Sequence, residues 1–518
     1  MLSVAVGLTY LARRLGIAEP ILLLLGGIAL SRLPGLPEIE LAPDVVFLLF
    51  LPPILFAAAY FTTIRDLKAN LRSILLLAIG LVQFTTVAVA IVAHQLTGMP
   101  VAAAFALGAI VAPPDAVAAT AVFQRLGVSR RMVTILEGES LINDATALIL
   151  YRTAVGVAAG AAGVAVTGAA AFSLDGAALD FVVVGAGGLA VGVVVGAVVT
   201  RTLHRTGEPT IEIIVSLLAP VTAYIAAEEL GLSGVLATVV AGLITGQRAA
   251  HVLSPDARLM GRGMWNVVIW LINAFVFMLI GLQLPAILEA VRADYSVEQL
   301  LVLGLAVSLT CVVARIVWVF PGTYLPRLLS RGIREREPYP PPRAVFVVSW
   351  AGMRGVVSLA AAFALPPEFP ARDLILYLTF CVIAVTLIGQ GLTLPWLIRH
   401  LGVLVSDADE SEEVHARLAA VEAALQRLEL LKREFPAHLP LIEQMRQEYE
   451  HEASHVMPSA DADTDADQEL LDHRTMRAAV LGAEREAIIR LRDAGVINDE
   501  TLRRIERDLD LQAVRSGA

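Results

Sequence analysis

Five polar side chains stand close together where the sequence is otherwise apolar: Glu137, Glu139, Ser140, Asn143 and Asp144, within EGESLINDA, residues 137–145. On a helix with Glu139 set as origin, Asn143 falls at about 40°, Ser140 at about 100°, Asp144 at about 140° and Glu137 at about 160°. All five share one half of the helix. A charge at a bilayer centre costs about 2.5–3.5 kcal/mol on insertion, so such groups are usually functional. Carboxylate, hydroxyl and amide oxygens on one face are hard ligands for a hard cation. The plainer alternative is a polar stripe that joins helices. Arg152 lies off this arc at about 220°, near a helix end, and reads as a snorkelling side chain. No histidine falls in the middle of an apolar stretch, so zinc is unsupported. The two cysteines, Cys311 and Cys381, make no disulfide framework and read as small core residues.

Two further segments carry chemistry through their backbone. In ALGAIVAPPDAVAATAVF, Asp115 follows Pro113 and Pro114. Two prolines remove two N–H donors, so the carbonyls of Ala109 and Ile110 lose their helical partners. Irregular backbone at membrane depth survives only where protein or a water-filled cavity satisfies it. In SWAGMRGVVSLAAAFALP, Arg354 is flanked by Gly352 and Gly355. A buried arginine needs a carboxylate, and the glycines permit a locally opened helix. Interrupted helices in opposite halves of a transporter point to its binding site. Arg315 and Glu212 fall nearer segment ends and read as structural.

The elements that must position these residues are membrane helices. The chain has 518 residues, 57% hydrophobic and 17% charged, with a mean hydropathy of +0.72; soluble domains average about 25% charged. Thirteen windows are long and apolar enough to be spans, given the roughly 17–25 residues that a bilayer requires. They are 2–16, 18–33, 43–62, 71–96, 100–124, 132–156, 179–201, 211–230, 233–247, 264–288, 298–323, 343–366 and 372–398, the first, second and ninth being short. The first reads as a retained helix, because it lacks a basic n-region and a cleavage site. The stretch 157–174 reads as a loop or re-entrant piece. Loops after odd-numbered windows hold eighteen Lys and Arg, and loops after even-numbered windows hold Arg32, Arg292 and Arg372. The positive-inside rule then puts the N-terminus outside and the C-terminus in the cytoplasm. The outer loops carry Glu38, Glu40, Asp44, Asp175, Asp180 and other acids that read as solvated. Residues 401–518 carry 14 basic and 26 acidic residues and no apolar window. They form an acidic helical tail, amphipathic over 414–434, with a low-complexity linker at 459–467 and a second helical stretch over 468–511. Asp461, Asp463 and Asp465 begin like a calcium loop, but Ala466 and Asp472 stand at its glycine and glutamate positions. The acidic balance disfavours a nucleic-acid partner.

At these residues the chain resembles the sodium/proton exchanger family of monovalent cation/proton antiporters, bacterial branch. APPDAVA resembles that family's crossover motif, EGESLINDA its acidic helix and WAGMRGVVSLA its arginine helix; LPPILF (51–56) and LSGVLATVVAGL (232–243) fit as well. The resemblance covers about 1–400 in order. It implies an all-α membrane fold of two inverted repeats, with two crossed, interrupted helices and a homodimer. Windows 4–6 and 11–13 would form a mobile core, and windows 1–3 and 8–10 a dimerising scaffold. The seventh, with Gly188, Gly192 and Gly196 for close helix contact, would link the halves. Carried over, Asp144 would bind the cation or the proton, with Ser140, Asp115 and the Pro114 carbonyl beside it. Asn143 would organise the break, and Glu139 would pair with Arg354. Two positions depart from the pattern. Ala57 stands where many members have an acid, and Pro114 replaces a threonine, so the cation shell is thinner.

The implied activity is exchange of Na⁺, or Li⁺ or K⁺, for H⁺ across a bacterial inner membrane, without a cofactor. The logic is competition: a desolvated carboxylate is costly to leave charged, so Asp144 holds a proton or a cation, never both. A single titrating acid beside the neutral Asn143 suggests one proton per cation. A channel or a receptor with a signalling tail is a competing reading. An intramembrane hydrolase using Asp115 and Asp144 is another, without a GxGD or HExxH element to support it.

Overall fold

The computed structural model describes residues 1–32, 46–161, 174–337, 339–403, 407–456 and 464–494, with isolated positions beyond. Every regular element among them is helical. The helices are α1 (Leu2–Leu15), α2 (Glu19–Leu30), α3 (Leu51–Phe61), α4 (Ile64–Ala69), α5 (Leu71–Thr97), α6 (Val101–Val111), α7 (Ala116–Leu126) and α8 (Arg130–Ala161). Then follow α9 (Leu174–Thr206), α10 (Pro209–Glu228), α11 (Gly234–Val252), α12 (Pro255–Arg292), α13 (Val297–Leu329), α14 (Arg331–Arg336), α15 (Pro342–Trp350), α16 (Val356–Phe363) and α17 (Arg372–Leu401). Each of the thirteen windows is occupied by one helix or by a broken pair. Eight helices among the described residues are long and apolar enough to cross a membrane, and two shorter apolar ones accompany them. α8 is not among the eight, and its polar stripe is the reason. The outer-loop acids Glu38, Glu40 and Asp44, the segment 162–173 and linker residues 459–463 lie outside the described residues, as do the side chains of Asp175 and Asp180. The proposed re-entrant stretch is therefore visible only at its ends, where α8 runs on to Ala161 and α9 begins at Leu174.

The chain divides into two compact units, Met1–Val405 and Ser406–Ala518. The second consists of helices Asp407–Glu434, Leu439–Val456 and Thr464–Asp493. The first of these stops before Pro436, as expected. Leu439–Val456 is an element that the sequence reading left unassigned, and 464–467 of the expected linker are helical.

Small residues set the closest crossings in the first unit. The glycine stripe of α9 lies on α11. A Cβ at Gly188 would stand 2.6 Å from the Ser233 carbonyl, and one at Gly192 would stand 2.6 Å from that of Ala237. Buried Glu212 on α10 accepts from both the backbone N–H and the hydroxyl of Ser254, each at 3.0 Å, at the start of α12. Its structural role is thus explicit. Arg152 does more than snorkel: its Nη2 bonds both oxygens of Glu228, at 3.1 and 2.9 Å.

Two of the thirteen windows are broken in mid-course. α6 ends at Val111 and α7 starts at Ala116; α15 ends at Trp350 and α16 starts at Val356. α5 and α17 instead stay continuous but contain a widened π turn each, over 76–81 and 385–390. Such turns free a backbone group, and Trp318 Nε1 donates to the freed Leu76 carbonyl at 2.9 Å.

Candidate functional site

The two breaks meet and stitch to each other through their backbones. The N–H of Asp115 would have bonded Val111 in an unbroken helix; it donates instead to the Met353 carbonyl at 2.7 Å. The Val111 carbonyl, left free, accepts from Arg354 Nε at 3.0 Å. Arg354 Nη1 also reaches the Gly352 carbonyl, and the Arg354 backbone N–H donates to Thr386 Oγ1 at 3.1 Å. Each break thus supplies the partner that the other lacks, which is the condition for irregular backbone at membrane depth. Arg354 sits where α6 and α15 end, and a cation there complements the negative ends of both helix dipoles.

The Glu139–Arg354 pair expected from the sequence does not form. Glu139 is forked by Arg315 of α13, with Nη1–Oε1 at 2.5 Å and Nη2–Oε2 at 2.8 Å, and both side chains are fully buried. Arg315 also donates to the Val348 carbonyl from Nε at 3.3 Å and Nη2 at 3.2 Å. The physical reason is the broken backbone: orphaned carbonyls claim the Arg354 guanidinium, and Arg315 is left to neutralise the glutamate. Gly352 makes room, because a Cβ there would collide with the Arg315 side chain.

Around this junction lies a cavity of about 890 Å³. Asp115, Ser140 and Asp144 line it, together with Glu137 on the same face of α8, two turns before Asp144. Asp144 is 6% exposed. Asp115 caps α7, its Oδ1 accepting from the Val117 N–H at 2.9 Å. The other oxygen of Asp115 fills the space that a Cβ at Gly355 would take, at the start of α16. The carboxylate therefore faces two helix N-termini, where negative charge is favoured.

Asn143 and Pro114 stand behind the cavity wall. Asn143 Nδ2 donates to the Pro114 carbonyl at 2.8 Å, tying α8 to the first break. Asn143 Oδ1 is buried without a hydrogen-bond partner among the described residues. The Pro114 carbonyl, expected as an ion ligand, is thus already engaged once. Ala57 also lines the cavity and brings no oxygen from its side chain.

Several lining residues went unread in the sequence. Ser358 on α16 is 2% exposed, faces the cavity and has no partner for its hydroxyl among the described residues. Asn266, Trp270 and Asn273 line it from α12. Their spacing was a usable signal: two amides seven residues apart in an apolar window share one helix face. Thr63 donates to Asp66 Oδ2 at 2.5 Å at the mouth, where exposed Arg130 and Arg262 also lie. No group of three or more His, Cys, Asp or Glu gathers as a metal site among the described residues. Four carboxylates line the cavity, Asp66, Asp115, Glu137 and Asp144, with hydroxyl oxygens nearby, and Asp115 and Asp144 beside Ser140 are a set suited to a small hard cation or a proton.

Comparison with known proteins agrees with this architecture. A family model described as sodium/hydrogen exchanger, transmembrane, matches residues 1–400. A Mycobacterium tuberculosis protein named as an uncharacterized Na⁺/H⁺ exchanger is 37% identical over 524 residues, covering 99% of this chain and 94% of the relative. A Bacillus subtilis protein named as a sodium, potassium, lithium and rubidium/H⁺ antiporter is 31% identical over 509 residues, covering 94% of this chain and 72% of the relative. Among solved structures, the sodium proton antiporter of Methanocaldococcus jannaschii at pH 8 superposes with a TM-score of 0.60 at 20% identity. That match covers 77% of this chain and 96% of the other, and it speaks for the fold.

Proposed function

The chain belongs to the sodium/hydrogen exchanger family, and from that premise we propose that it exchanges one monovalent cation, Na⁺ first, for one H⁺ by alternating access. The observation that carries this reading is the shared cavity of Asp115 and Asp144 at the crossing of two broken helices. Asp144 is the carrier. Buried in the cavity wall, its carboxylate must be neutralised by a proton or by a cation, and the two exclude each other. Asp115 stays ionised, held by the α7 cap and the adjoining start of α16, and adds cation ligands. Ser140 contributes a hydroxyl oxygen. Asn143 organises the break through Pro114.

The cavity opens at its Asp66, Arg130 and Arg262 end, beside the loops that hold the excess of basic residues. By the positive-inside rule that end is cytoplasmic, so the state described faces inward. The termini follow from the same rule, outside for the N-terminus and cytoplasmic for the C-terminus. A bacterial plasma-membrane location and a homodimer are part of the same reading.

The test is a cation-by-pH dequenching assay in proteoliposomes. Substrate-dependent proton flux with Na⁺, Li⁺ or K⁺ is expected. Cation conductance without coupled proton movement would establish a channel instead, and peptide hydrolysis with no flux would establish the hydrolase reading.

A further inference from the structure

Away from the exchange cavity, three guanidiniums converge on one carboxylate. Glu337 follows α14, and Arg72 at the start of α5 bonds it through Nη2–Oε2 at 2.6 Å and Nε–Oε1 at 3.3 Å. Arg327, near the end of α13, bonds the same Oε2 through Nη2 at 2.9 Å and the Glu337 backbone carbonyl through Nε at 3.2 Å. Arg131 on α8 lies 3.9 Å from that oxygen, and its Nε donates to Asn70 Oδ1 at 3.0 Å. One carboxylate cannot neutralise three arginines, so two positive charges are left over. Burial by itself would push the Glu337 carboxyl up, but the Arg72 hydrogen bond and the three surrounding charges outweigh it and hold it below the usual range. Arg72 Nη1 is buried with no partner among the described residues. The Arg327 side chain is only 3% exposed, so this charge is built into the protein rather than lying on its surface.

Beside this cluster runs a crevice of about 80 Å³ between α5, α8, α13 and the start of α15. Arg131, Arg327, Ser73 and Thr323 line its polar part. The remainder is apolar, with Leu76, Met132, Trp318 and Val345 among the walls. The neighbouring end of α13 exposes Leu325, Leu328 and Leu329 at 50%, 67% and 78%, as a helix facing lipid would. A small soluble anion would need the guanidiniums but not the apolar trench. An amphipathic anion uses both.

We propose that this crevice binds an anionic phospholipid, its phosphate on Arg131 and Arg327 and the first methylenes of its acyl chain along Trp318 and Leu76. Basic pockets between membrane helices on the basic-loop side suit such headgroups. Arginine forks match phosphate oxygens in pairs. The bound lipid would brace α8, which carries Asp144, against α13, which carries Arg315. The site lies outside the exchange cavity and does not depend on which cation is carried.

The experiment measures the melting midpoint of the full-length, delipidated protein in detergent. Phosphatidylglycerol, phosphatidylcholine or inorganic phosphate is added to the wild type and to the variants Arg131→Gln and Arg131→Glu. Phosphatidylglycerol is expected to raise the wild-type midpoint by at least about 3 °C more than phosphatidylcholine does. Both variants should lose most of that difference while melting normally in phosphatidylcholine. Equal shifts from the two lipids, or a difference that survives both substitutions, would overturn the proposal. So would an equal shift from millimolar inorganic phosphate, which would make this a site for a soluble anion.

Discussion

Arg315 holds Glu139 with both terminal nitrogens, at 2.5 and 2.8 Å, in a place where neither side chain meets water. The fork joins α8 to α13, and the two Arg315 bonds to Val348 extend it to α15. Breaking a buried pair by removing one partner costs about 3–5 kcal/mol, because the other charge is left uncompensated. Arg315→Gln and Glu139→Gln are each expected to lower the melting midpoint sharply and to reduce monodisperse yield. The double variant Arg315→Met/Glu139→Leu should recover part of the loss. A single variant that melts like the wild type would show the pair to be dispensable.

Asp144→Asn should fold and purify, since the amide nearly preserves shape and removes a buried charge. Its exchange should vanish, because an amide neither binds a proton in the working range nor neutralises a cation. Proteoliposome dequenching with Na⁺ reads this directly. More than a tenth of wild-type activity would remove Asp144 from the carrier role.

Gly355→Ala tests Asp115 without touching its charge. The new Cβ would occupy the position of an Asp115 carboxylate oxygen, so the side chain must move off the start of α16. We expect weaker cation affinity at high pH, seen as a rise in the apparent KM for Na⁺, with the protein still folded. An unchanged KM would mean that the position of Asp115 is immaterial to binding.

Ser358 offers a buried hydroxyl with no partner among the described residues, and it lines the same cavity as Ser140. If the cation takes it as a ligand, Ser358→Ala removes one oxygen worth about 1 kcal/mol. The apparent KM should then rise about five-fold, with little change in maximal rate. A KM within experimental error of the wild type would exclude Ser358 from the shell.

Much of this arrangement is legible in the amino-acid sequence. Periodicity and length located the helices, and Pro113–Pro114 marked one break, because two missing N–H groups there stand directly before a carboxylate inside an apolar window. Gly352 and Gly355 located the other. The polar arc puts Asp144 and Ser140 on one side of α8, and Asn143 Nδ2 bonds the Pro114 carbonyl. What the sequence could not supply was the partner of Glu139. A charge inside an apolar window announces that it needs a counter-charge, but not from which neighbouring helix. Arg354 was the more prominent candidate, between two glycines. Its guanidinium goes to carbonyls that exist only because the backbone is broken, a demand that becomes visible once the breaks are seen to cross. Ser358 was passed over for a related reason: a lone serine in an apolar helix usually bonds its own backbone, and this one does not.

Stoichiometry follows from how the charges around the junction are held. Glu139 is paired with Arg315 in a fully buried fork. Asn143 cannot titrate. Asp115 is stabilised as an anion by the Val117 N–H and by the start of α16. Of the acids at the crossing itself, Asp144 is then the one left to cycle between proton and cation; Glu137, two turns earlier on the same helix, lines the same cavity and would carry a second proton only if it also titrated during exchange. One positive charge enters as one leaves, so no net charge crosses the membrane. Exchange should therefore be indifferent to membrane potential, which otherwise acts with about 2.3 kcal/mol per charge per 100 mV. The measurement is Na⁺-driven proton movement in proteoliposomes whose potential is clamped by valinomycin at several K⁺ gradients. Superimposable rates and end points are expected. A clear dependence on the imposed voltage would show that a second cavity carboxylate, Asp115 or Glu137, also releases a proton. If it is Asp115, Gly355→Ala, by moving Asp115 away from the start of α16, should change the voltage dependence along with the affinity.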